Sequence, residues 1–228
     1  MFVKNIPVTN FDVTSADVIN SIIWNAYPWR WSLSALTAIT LVDGTQDYSF
    51  GGSDLASYLR LVRARITRTD TTPDEYDEIL VMRWLPPDLT KSGFRSISSV
   101  AFEQSISKLR LVRAAAVPSG VTLTLNGEYQ TLPTKITALS ATVVFPDTHF
   151  HVALSGLLWL AYKFADDDRA GRAQASKGGG VVYTGQLGEF YDNLISMRET
   201  EEWGAGDTVF PTDPLGVSVG SYPNIFGP

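Results

Sequence analysis

The sequence predicts an α+β fold. Helices from the two ends of the chain form a helical bundle, an antiparallel β-domain of sandwich or barrel type is inserted between them, and an extended C-terminal arm follows. Three observations carry this prediction. Apolar residues recur at helical spacing near both ends, as Val18, Ile19, Ile22, Ile23 and Ala26, and as Leu187, Phe190, Tyr191, Leu194 and Ile195. Between them lies a block of short alternating segments punctuated by Gly, Pro and Asn turn signals. After Trp203 the composition shifts to Gly, Pro, Asp, Ser and Val with no period. The expected division is residues 1–30 and 146–203 for the helical part, 31–145 for the β-rich insert and 204–228 for the arm.

Taken in order, a first helix is expected from Ser15 to Ala26, with Thr14 as its cap and Asp17 in its first turn. Pro28 ends it, because the residue before a proline is pushed out of the helical region. Trp29, Trp31, Leu33 and Ala35 alternate with Arg30, Ser32 and Ser34, which reads as a strand continuing to Val42. Asp43-Gly44 suits a tight hairpin turn, with Thr45–Phe50 returning antiparallel. Arg60–Thr69 reads as a strand with Val62, Ala64 and Ile66 on one face and Leu61, Arg63 and Arg65 on the other. Asp77–Trp84 fits either a strand or a short helix. Leu109–Ala115 and Val121–Tyr129 read as strands, and Asn126-Gly127 as a second turn signal. Helices resume at Pro146, capped by Asp147 or Thr148 and running to about Asp166. Gly171–Gly180 reads as a flexible connector, and the last helix as Gln186–Glu201.

Composition narrows the function. The chain has 228 residues with 44% hydrophobic and 18% charged, too apolar for a disordered segment. It has no cysteine, which excludes a disulfide scaffold and cysteine chemistry. The N-terminus lacks the apolar core of a signal peptide. The most apolar stretch, Val152–Ala165, falls short of the roughly 20 residues of a membrane span. The expectation is a protein that works, or is assembled, inside a cell. Low charge and 6 Trp suit a chain that buries surface against other subunits.

Charge is unevenly placed. Residues 60–113 hold 10 basic and 7 acidic residues in a chain of net charge −6. Within that block Leu59-Arg60-Leu61-Val62-Arg63-Ala64 recurs as Leu109-Arg110-Leu111-Val112-Arg113-Ala114. Convergence of two strands on one amphipathic pattern explains the echo most simply. The sharper reading is that both strands show arginines on equivalent faces of one sheet.

Catalytic chemistry is hard to assemble, and no catalytic, metal or cofactor site is expected. Asp147-x-His149-x-His151 contains the only histidines, and on a helix residues two apart point to different faces. First-turn polar residues is the simpler reading. Gly178-Gly179-Gly180 lacks the Lys-Ser/Thr of a phosphate loop. Asp166–Asp168 and Glu199, Glu201 and Glu202 read as solvated helix ends. Trp24, Tyr27, Trp29 and Trp31 could form a stacking platform, but only Arg30 is near, so a packing junction of Trp24, Trp29 and Trp31 is the better reading.

The run Trp24-Asn25-Ala26-Tyr27-Pro28-Trp29-Arg30-Trp31 is followed by Leu36–Val42, Asp43-Gly44 and Thr45-Gln46-Asp47-Tyr48. Together with Trp159-Leu160-Ala161-Tyr162-Lys163-Phe164-Ala165 and the Gln186–Glu202 helix, this resembles the head-to-tail adaptors of short-tailed bacteriophages, the connector or tubular tail protein A type. The resemblance implies a structural virion protein of the neck, assembled in the host cytoplasm. It implies a homo-oligomeric, usually dodecameric, ring that binds the portal protein and a tail or nozzle protein. Double-stranded DNA would pass through its lumen without sequence-specific binding, and an acidic chain suits that passage because phosphate binding grows with each Lys or Arg contact. A C-terminal segment that docks on the portal would correspond here to Phe210, Pro214, Leu215, Tyr222, Ile225 and Phe226. Arg60, Arg63, Arg65, Arg110 and Arg113 are expected at subunit or tail interfaces. Two other classes stay open at this point: a carbohydrate- or host-surface-binding β module, and a cell-wall hydrolase, for which no carboxylate pair stands out.

Overall fold

The computed structural model describes residues 8–69, 75–83, 97–138, 140–141, 143, 146–176 and 180–203. It is α+β, with helices and a large curled mixed sheet. The chain divides into two compact units, one formed by Met1–Trp31 with Pro133–Pro228, the other by Ser32–Leu132.

The first unit is helical. α1 (Val8–Ala26), α3 (Phe150–Phe164) and α4 (Gly185–Trp203) pack around Ile19, Ile23, Trp29, Val152, Leu160, Phe190, Leu194 and Met197. The helix α1 starts at Val8, ahead of the expected cap, so Thr14 lies inside it. Asp17 is therefore free for a different task. Its carboxylate accepts the Ile136 N–H at 2.8 Å, and the Asn20 amide donates to the Thr134 carbonyl at 3.2 Å, which ties residues 134–136 to the helix. Where α3 passes its neighbours, Gly156 is needed: a Cβ there would lie 2.9 Å from both Ile19 Cδ1 and Phe190 Cε2. The buried Ser155 hydroxyl accepts a hydrogen bond from the Asn193 amide at 3.1 Å, joining α3 to α4. None of the helices is long and apolar enough to cross a membrane, among the described residues.

The expected connector at 171–180 is instead a β-hairpin, β8 (Ala173–Ala175) with β9 (Val181–Tyr183). Its base is held by a cross-brace. Gly171 and Gly185 both adopt positive φ, at 73° and 61°, and side chains there would run into the Thr184 and Arg169 carbonyls. The Thr184 hydroxyl and N–H both donate to the Arg172 carbonyl, each at 3.1 Å. Tyr183 stacks on Tyr191 of α4 at 4.1 Å, with ring planes 8° apart. Small and polar residues hid this element in the sequence, because Ala-Gln-Ala has no apolar period.

The second unit is a seven-stranded sheet, in the order β1-β7-β3-β4-β5-β6-β2. Its strands are β1 (Leu33–Thr40), β2 (Asp47–Tyr48), β3 (Tyr58–Arg68), β4 (Glu75–Met82), β5 (Ser99–Glu103), β6 (Lys108–Leu111) and β7 (Leu123–Thr131), with a one-turn helix α2 (Asp54–Ser57) before β3. The ambiguous 77–84 segment is strand β4. The ladders are antiparallel except β4–β5, which is parallel. The connection from Met82 to Ser99 is long enough for the crossover that parallel pairing demands. Leu36, Leu61, Ala64, Ile66, Ile79, Val100, Leu109, Leu111, Leu125 and Tyr129 form the core.

Three local expectations change here. Asp43-Gly44 does turn the chain, but β2 pairs with β6 rather than returning on β1. Asn126-Gly127 runs straight through β7, with Gly127 pressed against the Arg63 carbonyl. Trp29 and Trp31 precede the strand, because residues Arg30–Ser32 form a 3-10 turn and β1 starts at Leu33. On β3 the expected faces hold for Ala64 and Ile66, buried, and for Arg63 and Arg65, exposed, but Leu61 changes side. The register of β3 against β7 slips between Tyr58 and Arg60 and again between Leu61 and Arg63. Each slip inserts one extra residue, a β-bulge, which bends the strand and resets its alternation. Leu61 is therefore buried with Ala64 and Ile66 rather than opposite them. The Tyr58 hydroxyl accepts the Leu61 N–H at 2.8 Å, satisfying a donor at the bulge, and burial pushes its pKa up to about 12.

Candidate functional site

The five arginines singled out from the sequence all lie in the sheet unit, but in different settings. Arg60 is partly buried and donates through Nε to Gln130 Oε1 at 2.7 Å. Gln130, fully buried, passes the chain on from Nε2 to the Ser32 hydroxyl at 3.0 Å. Burial, and then repulsion from Arg83, lowers the Arg60 pKa. This arginine is part of a buried polar network, and such networks hold a core to one arrangement.

Arg63 and Arg65 are exposed on β3. Arg63 faces Glu128 at 3.9 Å, and Arg65 lies over the Tyr76 ring at 5.7 Å. Exposed pairs of this kind add little stability, so both charges stay available at the surface. Arg110 makes two hydrogen bonds to Asp47, at 2.7 and 3.0 Å, with Glu103 at 3.7 Å. Arg113 follows the end of β6 and is half-buried. The repeated hexapeptide therefore does not place its arginines alike: the first copy lies on a twice-bulged strand, while the second leaves its strand at Leu111.

The Arg110–Asp47 pair sets a pH dependence. The Arg110 hydrogen bond holds the Asp47 carboxyl below its ordinary 3.8, and the partnership raises Arg110 in turn. A carboxylate with a depressed folded pKa stabilises the fold above its unfolded pKa and loses that contribution as pH falls through the folded value. The Arg110→Leu variant is expected to be less stable by about 1 kcal/mol at neutral pH. The gap should narrow once the pH drops below 3.8. Thermal melts of the two proteins across that range check this, and a gap that stays constant refutes it.

The aromatic group belongs to the helical unit. Trp29 is 0% exposed, and Trp24 and Tyr27 are also buried. Trp24 meets Trp31 edge-on at 4.8 Å, and Trp29 stacks on Trp31 at 6.1 Å. Their faces are spent on one another, which disfavours a glycan platform. The His149 and His151 rings are 6.2 Å apart, and no group of three potential metal ligands occurs among the described residues. Residues Phe210, Pro214, Leu215, Tyr222, Ile225 and Phe226 lie outside the described residues.

Two surface features escaped the sequence reading. One is the β8–β9 hairpin. The other is an outward ridge on α3, where Phe150, Leu154 and Leu158 are 62%, 46% and 40% exposed. The available signal was the absence of Asp, Glu, Lys and Arg from Thr148 to Tyr162, more apolar surface than one buried face requires.

Fold and surfaces together define a class: an α+β protein whose discontinuous helical unit carries an inserted curled sheet. The family model described as SU10 adaptor protein matches residues 12–206, which reach from α1 past the end of α4. The chain belongs to the SU10 adaptor family and is a structural bacteriophage protein. No curated protein matches it.

Proposed function

We propose that the chain is a head-to-tail adaptor that forms a ring between portal and tail in the virion neck. The observation that carries this is the family match across both units. In this reading the ring is dodecameric, assembles in the host cytoplasm, lets double-stranded DNA pass and gives the tail its attachment platform. Subunits in such a ring meet through two different surfaces, since a head-to-tail contact is heterologous. Residues 207–228 lie outside the family match, and the portal-docking role of the 204–228 arm is proposed from the resemblance to adaptors whose C-terminal segment docks on the portal.

The acidic balance of the chain favours a lumen that does not grip phosphates. Arg63, Arg65 and Arg113 then serve subunit or tail contacts, while Arg60 and Arg110 hold the sheet that presents them. Neutralising Arg63 and Arg113 together is expected to impair ring or tail assembly. Intact assembly with altered DNA retention would reassign them to the DNA path. Negative-stain images and mass photometry, with and without portal protein, test the ring itself. Monomers that bind glycans would favour a host-surface module instead.

A further inference from the structure

We infer that the α3 ridge of Phe150, Leu154 and Leu158 is covered by a second copy of this chain, whose β8–β9 hairpin lies across it. This rests on the ring reading and names the surfaces that make the ring. The ridge is three apolar side chains at i, i+4 and i+8, all exposed. Its segment carries no Lys or Arg that could hold a phosphate backbone. An apolar protein surface is the occupant that suits it. A ridge this small falls well short of the roughly 800 Å² per partner of a stable interface, so the occupant must also bring contacts beyond it.

The hairpin fits both demands. Val181 and Val182 are 49% and 51% exposed, and neither outer edge of the hairpin carries another strand among the described residues. A lone two-stranded hairpin is marginal in water, so this one gains most by being covered. Its base is rigid, with Gly171 and Gly185 interlocked and Arg169 held by Asp167 at 2.6 Å and by the Tyr162 ring at 4.4 Å. Charge selects the partner. The hairpin segment, residues 171–183, holds two basic residues, Arg172 and Lys177, and no acidic one, whereas the rest of the helical unit holds six basic and thirteen acidic residues. Asp147 at the head of the ridge is exposed, an acidic neighbour that suits a basic hairpin. Two unlike patches on one unit are what a ring of identical subunits requires.

The chain has no cysteine, which makes cross-linking unambiguous. Full-length Leu158→Cys and Val182→Cys chains are mixed and oxidised. A disulfide is expected in the mixture and in neither variant alone. The double variant should give a ladder whose longest rung counts the subunits. Leu154→Asp, at an exposed position that leaves the fold intact by circular dichroism, should abolish the ring species. Cross-linking of Leu158→Cys to itself would show ridge meeting ridge and overturn the hairpin as occupant. Rings that form unchanged with Leu154→Asp, without the mixed disulfide, would overturn this inference and leave the ring reading standing. A wild-type chain that stays monomeric alone and with portal would overturn both. Salt-sensitive binding of a duplex oligonucleotide, lost in Arg172→Glu with no cross-link formed, would assign the hairpin to DNA instead.

Discussion

Trp29→Ala is expected to destabilise the helical unit by about 3–5 kcal/mol, a large share of the stability of a domain this size. Trp29 is 0% exposed, and it packs on Tyr27 at 5.0 Å and on Trp31 at 6.1 Å. Its indole N–H donates to the Ile23 carbonyl at 2.6 Å. That carbonyl belongs to the last turn of α1, where carbonyls have no partner within the helix. The indole thus caps the helix as well as filling its core. Trp29→Phe keeps most of the packing and loses the cap, so it should cost less. Chemical denaturation of both variants measures this. An alanine variant within about 1 kcal/mol of wild type would mean that the junction is not a keystone of the unit.

Ending the chain at Trp203 is expected to abolish joining to portal while leaving both units folded. The structural reason for the second half is that, among the described residues, both cores are built from side chains that the truncation keeps. The first half follows from the proposed docking of Phe210, Leu215, Tyr222, Ile225 and Phe226. Co-sedimentation of the truncated and full chains with portal protein, with melting temperature as a control for folding, separates the two. Equal joining by both chains would refute the arm's role.

Helices were legible where their apolar period was complete. In α4, Leu187, Phe190, Leu194 and Met197 are buried, as their spacing requires. The α+β class was legible for the same reason, from two helical ends around alternating segments. The pairing of strands was not legible. β2 joins β6, more than sixty residues away in sequence, and no local pattern encodes a distant partner. The side taken by Leu61 was misread because two bulges in β3 reset an alternation that the sequence shows as continuous. The family was legible from the Trp24–Trp31 run and the later helices. The exposed ridge was not, because Phe150, Leu154 and Leu158 look like core until the three-helix packing is known.

The pairing of β1 with β7 bears on the order in which the molecule folds. Leu33 sits opposite Gln130, so the two ends of the inserted sheet come together at one ladder. Helix α1 must find partners that lie far along the chain, as the Asn20–Thr134 bond across 114 residues shows. Closing so long a loop unaided costs about 2–3 kcal/mol more than closing a short one. Once the sheet has zipped, that cost is already met, and the helices assemble as though joined by a short link. Pairing the sheet first would thus be the less costly order, and its distant strands are the kind of contact that forms slowly.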